Sequence, residues 1–237
     1  MAAVLALAAC STPIGQNPST TNNPFPSSTL APATPTTTAT ADPPADPEWP
    51  SEGPIEPGTH HLAPSEWSVA GLTLTIPEGW ETELGPPTGI KHPDRDGELA
   101  FYFVTVDRIF SDPCEGIEGE KIGPSVGDLV TALVEQPVTE TSEPVDTTLG
   151  GLPATQILLT VPAGFDTTEC NASVGLQIWY SQPADKYLVA LADGTVAIYI
   201  LDVNGERQVF YTQHQVGTSA NDLDEMRIIQ ESIHIDA

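Results

Sequence analysis

The feature that most limits what this chain can fold into is a change of texture near residue 65. From Ser11 to Pro64 the sequence holds 13 prolines, 10 threonines and 5 serines. Large aliphatics are sparse there, and no apolar period of 2 or 3.6 survives. Such a segment is expected to bury too little apolar surface to offset its ordering entropy. Residues 10–64 therefore read as a disordered, partly polyproline-II tether. Its ends would lie roughly 40 Å apart as a coil and about 170 Å apart at full extension. The cluster PATPTTTAT, Pro32 to Thr40, has the composition of an O-glycosylated stalk.

From Ser65 onward the pattern is that of a folded domain. In WSVAGLTLTIPEGW, residues Trp67, Leu72, Leu74 and Ile76 alternate with smaller or polar ones, which predicts a strand ending in a Pro-Glu-Gly turn. ELAFYFVTV, Glu98 to Val106, predicts a second strand after the turn signal DRDG. SVGDLVTALVEQP predicts a helix capped by Ser125 with Asp128 three residues on, stopped by Pro137, with Leu129, Leu133 and Val134 as its buried stripe. PVDTTLGGLPATQILLTVP reads as a hairpin about Gly150-Gly151. VGLQIWYS and KYLVALADGTVAIYILDVNGERQVFYTQ follow as strands, with turns at Asp193-Gly194 and Asn204-Gly205. A closing helix is capped by Ser219, with Asp222 three residues on and Leu223, Met226, Ile229 and Ile233 on one face. Residues 65–237 are expected to form a single α+β domain, an antiparallel sheet with two main helices packed on it.

Charge narrows the partners. The formal net charge is −26, from 33 acidic against 7 basic residues, and no Lys or Arg precedes Lys91. Such a surface repels phosphate backbones and anionic headgroups, so nucleic-acid binding and electrostatic docking to a membrane are not expected. Cations, cationic peptides and basic protein patches remain as charged partners; the plainer reading is solubility. Lysine occurs only as Lys91, Lys121 and Lys186, amid abundant Ala, Thr, Pro, Asp and Glu, which points to a high-GC genome such as an actinobacterium's. A halophile would also give an acidic chain.

There are three cysteines, Cys10, Cys114 and Cys170. The last two fall in the loop-like contexts SDPCEG and TTECNA. An even pair in an exported domain points to a disulfide, against the plainer alternative of two buried thiols. Two thiolates without a histidine at ligand spacing do not make a zinc site, so no metal and no cofactor is expected.

Cys10 is the odd one left. The preceding AAVLALAA would be about 12 Å long as a helix, far short of the ~30 Å hydrocarbon core, and has the length of a signal-peptide apolar region. Leu7-Ala8-Ala9-Cys10 resembles a bacterial lipobox. The resemblance implies that residues 1–9 are a truncated lipoprotein signal peptide, cleaved before Cys10, with a diacylglyceryl thioether on Cys10 and a further acyl chain on the new amino group. One acyl chain holds marginally and two or more hold stably. A signal peptide needs a basic leading region, absent here, so the true start is expected further upstream. The location that follows is extracytoplasmic, with the domain anchored to the cell membrane by lipid.

No motif carries evident chemistry. His60-His61 falls in the tether and is expected to be solvated; His92, His214 and His234 are scattered. There is no G-x-S-x-G or H-E-x-x-H. DRDG and DVNG resemble the start of a calcium loop but lack its closing bidentate Glu, so hairpin turns explain both. Trp67, Trp80, Trp179 and Tyr180 read as core or sheet-face aromatics, with a ligand groove lined by two of them as the functional alternative. Glu81, Glu83, Glu118 and Glu120 could include a catalytic pair, though a solvated acidic face accounts for them more simply.

GLTLTIPEGW, followed by antiparallel strands and a terminal helix that ends in a short strand, resembles exported actinobacterial domains of the PsbP/Mog1-like type, and the ending ILDVNGERQVFYTQHQVGTSANDLDEMRIIQESIHI is similar to a recurrent ending of actinobacterial exported proteins. The resemblance implies a fold and a binding or accessory role, with no catalytic residues to carry over. The expected function is a non-enzymatic binding or accessory module for a protein or small-molecule partner. A small extracytoplasmic hydrolase or cell-wall-modifying enzyme, and an envelope sensor component, are the alternatives.

Overall fold

Side-chain alternation sets the layers of this fold. In β-strands successive residues point to opposite faces, and the runs LAFYFV (99–104) and VAIYIL (196–201) are apolar at every position. A computed structural model describes residues 48–85, 87–92, 97–171, 175–181 and 186–237. All of them fall in one unit, Pro44–Ala237. In chain order the elements begin with β1 (Gly53–Pro54), β2 (Gly58–Leu62), β3 (Gly71–Ile76), β4 (Glu81–Thr82) and β5 (Thr88–Lys91). Then come β6 (Leu99–Val104), β7 (Arg108–Asp112), β8 (Ile117–Lys121) and α1 (Val126–Val134). They continue with β9 (Glu140–Thr141), β10 (Val145–Leu149), β11 (Leu152–Thr160), β12 (Gly175–Ser181) and β13 (Lys186–Leu191). The last are β14 (Gly194–Val203), β15 (Glu206–Gln215), α2 (Ala220–Ser232) and β16 (His234–Asp236).

Every strand pair is antiparallel. A nine-stranded sheet runs β1-β4-β5-β6-β15-β14-β11-β10, with β9 also on β11. A four-stranded sheet runs β13-β12-β7-β8, and a three-stranded one β16-β3-β2. The large sheet is the middle layer. On β14, Tyr199, Leu201 and Val203 join one core with Phe101, Phe103 and Phe210, β3 and α2. The intervening Val196, Ile198 and Ile200 join a second core with Val209, Tyr211, β12, β13 and α1. An antiparallel sheet usually leaves one face to water; this one is covered on both, so its central strands read as near-continuous apolar runs.

The expected α+β architecture, antiparallel sheet with two helices, is what forms. Ser125 Oγ accepts from Asp128 N and the Asp128 carboxylate accepts from Ser125 N, closing the capping box of α1. Ser219 caps α2 in the same way through Asp222 N. Asn204 and Gly205 both adopt positive φ, as the tight β14–β15 hairpin requires. Two stripe assignments change. Val134 is exposed, because α1 turns Leu129 and Leu133, flanked by the half-buried Val126 and Val130, to the core, and Leu223 lies at the exposed margin of α2.

The domain boundary expected at Ser65 is also corrected: the fold starts earlier. Residues 58–62 pair in register with β3 from Gly58↔Ile76 to Leu62↔Leu72. Trp49, Ile55 and His60 are buried in the first core or against it. Pro54 lies within β1, and the prolines at 50, 57 and 64 flank these short strands without interrupting the β2–β3 ladder. Cys10, the Pro32–Thr40 cluster and the rest of 1–47 lie outside the described residues, as do Asp94, Arg95 and Asp96 of DRDG.

Candidate functional site

The geometry singles out a cleft of about 240 Å³ over one end of the large sheet. Its floor comes from β6 and β15. Tyr102 and Tyr211 lie directly opposite one another in the ladder, and their rings stack at 4.8 Å with an interplanar angle of 18°. Val104 and Gln213 share this face, and Trp179 presses its ring at 80° to Tyr211 at 5.3 Å. The walls are Ser181 at the end of β12, Leu188 and Leu191 of β13, Leu84, Glu98 and Trp67.

Trp67 is held in place by two devices. Ser65 Oγ accepts from Trp67 N (3.2 Å) and Ser68 N (3.3 Å), a local turn. Buried Gln208 then clamps the segment to the sheet: its Oε1 accepts from Val69 N at 2.8 Å, and its Nε2 donates to Trp67 O and Val104 O. Glu98 is fixed through its backbone, whose carbonyl accepts from Gln215 N and Thr218 Oγ1.

Four neutral polar groups line the cleft. Among the described residues, the Tyr102 and Tyr211 hydroxyls, the Ser181 hydroxyl and the Gln213 carboxamide form no hydrogen bond with a protein group. Each of these atoms reaches solvent, where water can pair with it. Burial pushes both tyrosine hydroxyls up in pKa, for Tyr102 with the added charge of Glu98 and Glu83 and for Tyr211 with that of Tyr102. Both therefore stay protonated, as donors and acceptors, at any ordinary pH.

The residues singled out in the sequence are distributed differently. Cys114 and Cys170 are disulfide-bonded, joining the turn after β7 to the segment before β12. His60, expected in a solvated pair, is instead fully buried: its ring meets Trp49 edge-on at 5.0 Å and Nε2 lies 2.8 Å from Glu56 O. His61 points the other way, with Nδ1 2.9 Å from Thr73 Oγ1, so the two rings do not converge. His92 lies 3.6 Å from Asp222, and exposed His234 lies 3.7 Å from Asp236. His214 is half-buried, and its pKa is lowered by that burial. Glu81 belongs to the large sheet, whereas Glu118 and Glu120 belong to the four-stranded one. DVNG is a hairpin turn in which Asp202 Oδ1 accepts from Gly205 N. Trp80 and Trp179 are core, Tyr180 is half-buried, and Trp67 alone of the four lines the cleft. Tyr102, Tyr211, Gln213, Ser181 and Glu98 were not among the candidates. Their trace in the sequence is the pair of runs FYF and FYTQ, where each Tyr must face away from its Phe neighbours.

No family model and no curated protein matches the chain. Among solved structures, that of LpqN, described as involved in cell envelope biogenesis of Mycobacterium tuberculosis, aligns over 83% of this chain and 88% of its own. The identity is 13% and the TM-score 0.28. A score of that size transfers neither fold nor role. Among the described residues, no helix is long and apolar enough to cross a membrane.

Proposed function

We propose that this chain is an extracytoplasmic lipoprotein, anchored through Cys10, whose domain binds a small molecule in the Tyr102–Tyr211 cleft as a non-enzymatic accessory module of the cell envelope. The observation that carries the binding role is the set of neutral hydroxyl and carboxamide groups in a partly apolar cleft, the usual make-up of a ligand site. The anchor rests on Leu7-Ala8-Ala9-Cys10 and the Pro/Thr-rich stretch after it. The PsbP/Mog1-like assignment belongs to the same proposal and rests on a central antiparallel sheet with a helix on each face.

The anchor is tested with a Cys10→Ala variant expressed from the native locus. The wild type should sediment with membranes and the variant should appear in the soluble fraction. A variant that still sediments with membranes overturns the lipid anchor.

A further inference from the structure

We infer that the cleft recognises a neutral, polyhydroxylated ring of about monosaccharide size. This inference rests on the binding reading above and sharpens it to a ligand class. Three features carry it. The first is the kind of polar group available. Tyr102 Oη, Tyr211 Oη, Ser181 Oγ and the Gln213 carboxamide are neutral and each both donates and accepts. A sugar hydroxyl does the same, so a ring bearing several of them can pair with all four at once. An apolar ligand would cover these groups without partners, each at the full desolvation cost.

The second feature is charge. Glu98 is the one charged residue among the described lining side chains, in a chain of net charge −26. A chain of that charge repels anions. An organic cation would leave the tyrosine and serine hydroxyls unmatched. The third feature is shape. Trp67, Leu84, Val104, Leu188 and Leu191 offer apolar surface for the C–H face of a ring. The 240 Å³ volume lies just under the ~300 Å³ at which drug-sized sites begin, which suits one ring and not a chain of them.

The test titrates methyl α-glucoside, methyl α-mannoside and methyl α-galactoside into the full chain. Tetramethylammonium and phenol serve as cationic and aromatic comparators. The readout is the NMR shift of the Tyr102 and Tyr211 ring resonances. At least one pyranoside should shift both saturably, and Tyr211→Phe and Ser181→Ala should each weaken it about tenfold, the effect of one lost hydrogen bond of ~1.4 kcal/mol. Tyr199→Phe, on the opposite face, should bind as wild type does, and cooperative thermal unfolding within about 5 °C of wild type will show that the variants fold. If tetramethylammonium or phenol saturates the cleft and no pyranoside does, the sugar inference falls while the small-molecule reading stands. If none of the five probes shifts either tyrosine, both fall. Pyranoside binding that Tyr211→Phe and Ser181→Ala leave untouched also overturns the inference, since the ligand would then sit elsewhere.

Discussion

Tyr199 and Tyr211 lie on the neighbouring strands β14 and β15 but face opposite sides of the large sheet. The Tyr199 hydroxyl accepts from Gln156 Nε2 at 2.8 Å and Gln230 Nε2 at 2.9 Å, the latter from α2. Its ring packs on Phe210 at 5.8 Å, in the layer that also holds Phe101, Phe103 and Trp80. The Tyr211 hydroxyl has no such partners and opens to the cleft. One residue type thus serves two ends. Under α2 the polar tip is consumed in holding the layers together; under β12 and β13 it faces the cleft. The closed face should therefore respond to mutation through stability, and the open face through binding.

The largest effect should come from the aromatic layer of the closed face. Phe101 is fully buried and touches Trp49, Trp80 and Phe210. Phe101→Ala should cost about 4 kcal/mol, as large-to-small core changes do, measured as a drop in the urea midpoint at constant slope. A cost under about 1.5 kcal/mol would show that this face collapses around the hole and is not the rigid side of the molecule.

The ion pairs that hold α2 over the same face should have the next largest effect. Lys91 Nζ lies 2.8 Å from Asp222 and 2.6 Å from Glu225, which also accepts from Trp80 Nε1. The group is covered but close to the surface, so its value lies nearer the ~1 kcal/mol of exposed pairs than the ~3–5 kcal/mol of a broken buried one. Hydrogen bonds from Lys91 and Ser219 lower the Asp222 pKa. Burial alone would lower Lys91, but hydrogen bonds to Asp222 and Glu225 outweigh it and raise the value. A lowered acid stabilises the fold above its unfolded pKa and loses that contribution as pH falls through its folded value. A raised base stabilises below its unfolded pKa and loses that contribution as pH rises through its folded value. The contribution should therefore be complete between about pH 4 and pH 10 and fade on either side. Lys91→Met should lower the urea midpoint at neutral pH and flatten both limbs; an unchanged acid limb would remove Asp222 from the account.

The smallest effects bear most directly on the contrast. Tyr199→Phe strands two carboxamide donors and should cost about 1 kcal/mol. Tyr211→Phe removes a hydroxyl with no hydrogen-bond partner among the described residues and should stay within about 0.5 kcal/mol of wild type. Equal losses in urea titrations would mean that the Tyr211 hydroxyl supports the fold just as that of Tyr199 does, and the two faces would no longer differ.

Much of the scaffold could be read from short stretches. Ser125 with Asp128 and Ser219 with Asp222 announce their helices because capping involves atoms three residues apart. Asn204-Gly205 announces its hairpin because few residues tolerate consecutive positive φ. The Cys114–Cys170 pairing was legible because only those two cysteines lie in the domain. The failures share a cause. His60 and Trp49 looked like tether because their neighbours are prolines, polar residues and small ones; their burial comes from pairing with β3 and packing on Phe101. Val134 sits at the right helical spacing, yet nothing in that spacing tells how wide a stripe the sheet will cover.

What the sequence determined by itself is the two helices with their caps, the long strands β3, β6 and β10 to β15 with their hairpin turns, and the opposite facing of Phe and Tyr in FYF and FYTQ. These depend on the intrinsic geometry of one strand or one helical turn. The short strands β4, β5, β7, β8 and β9 left no local signal. Only the tertiary structure decided that Tyr102 and Tyr211 stand in register and that β12 and β13 roof them incompletely. Register depends on ladders between distant segments. A gap between layers depends on the combined shapes of both, so no local pattern could reveal the cleft.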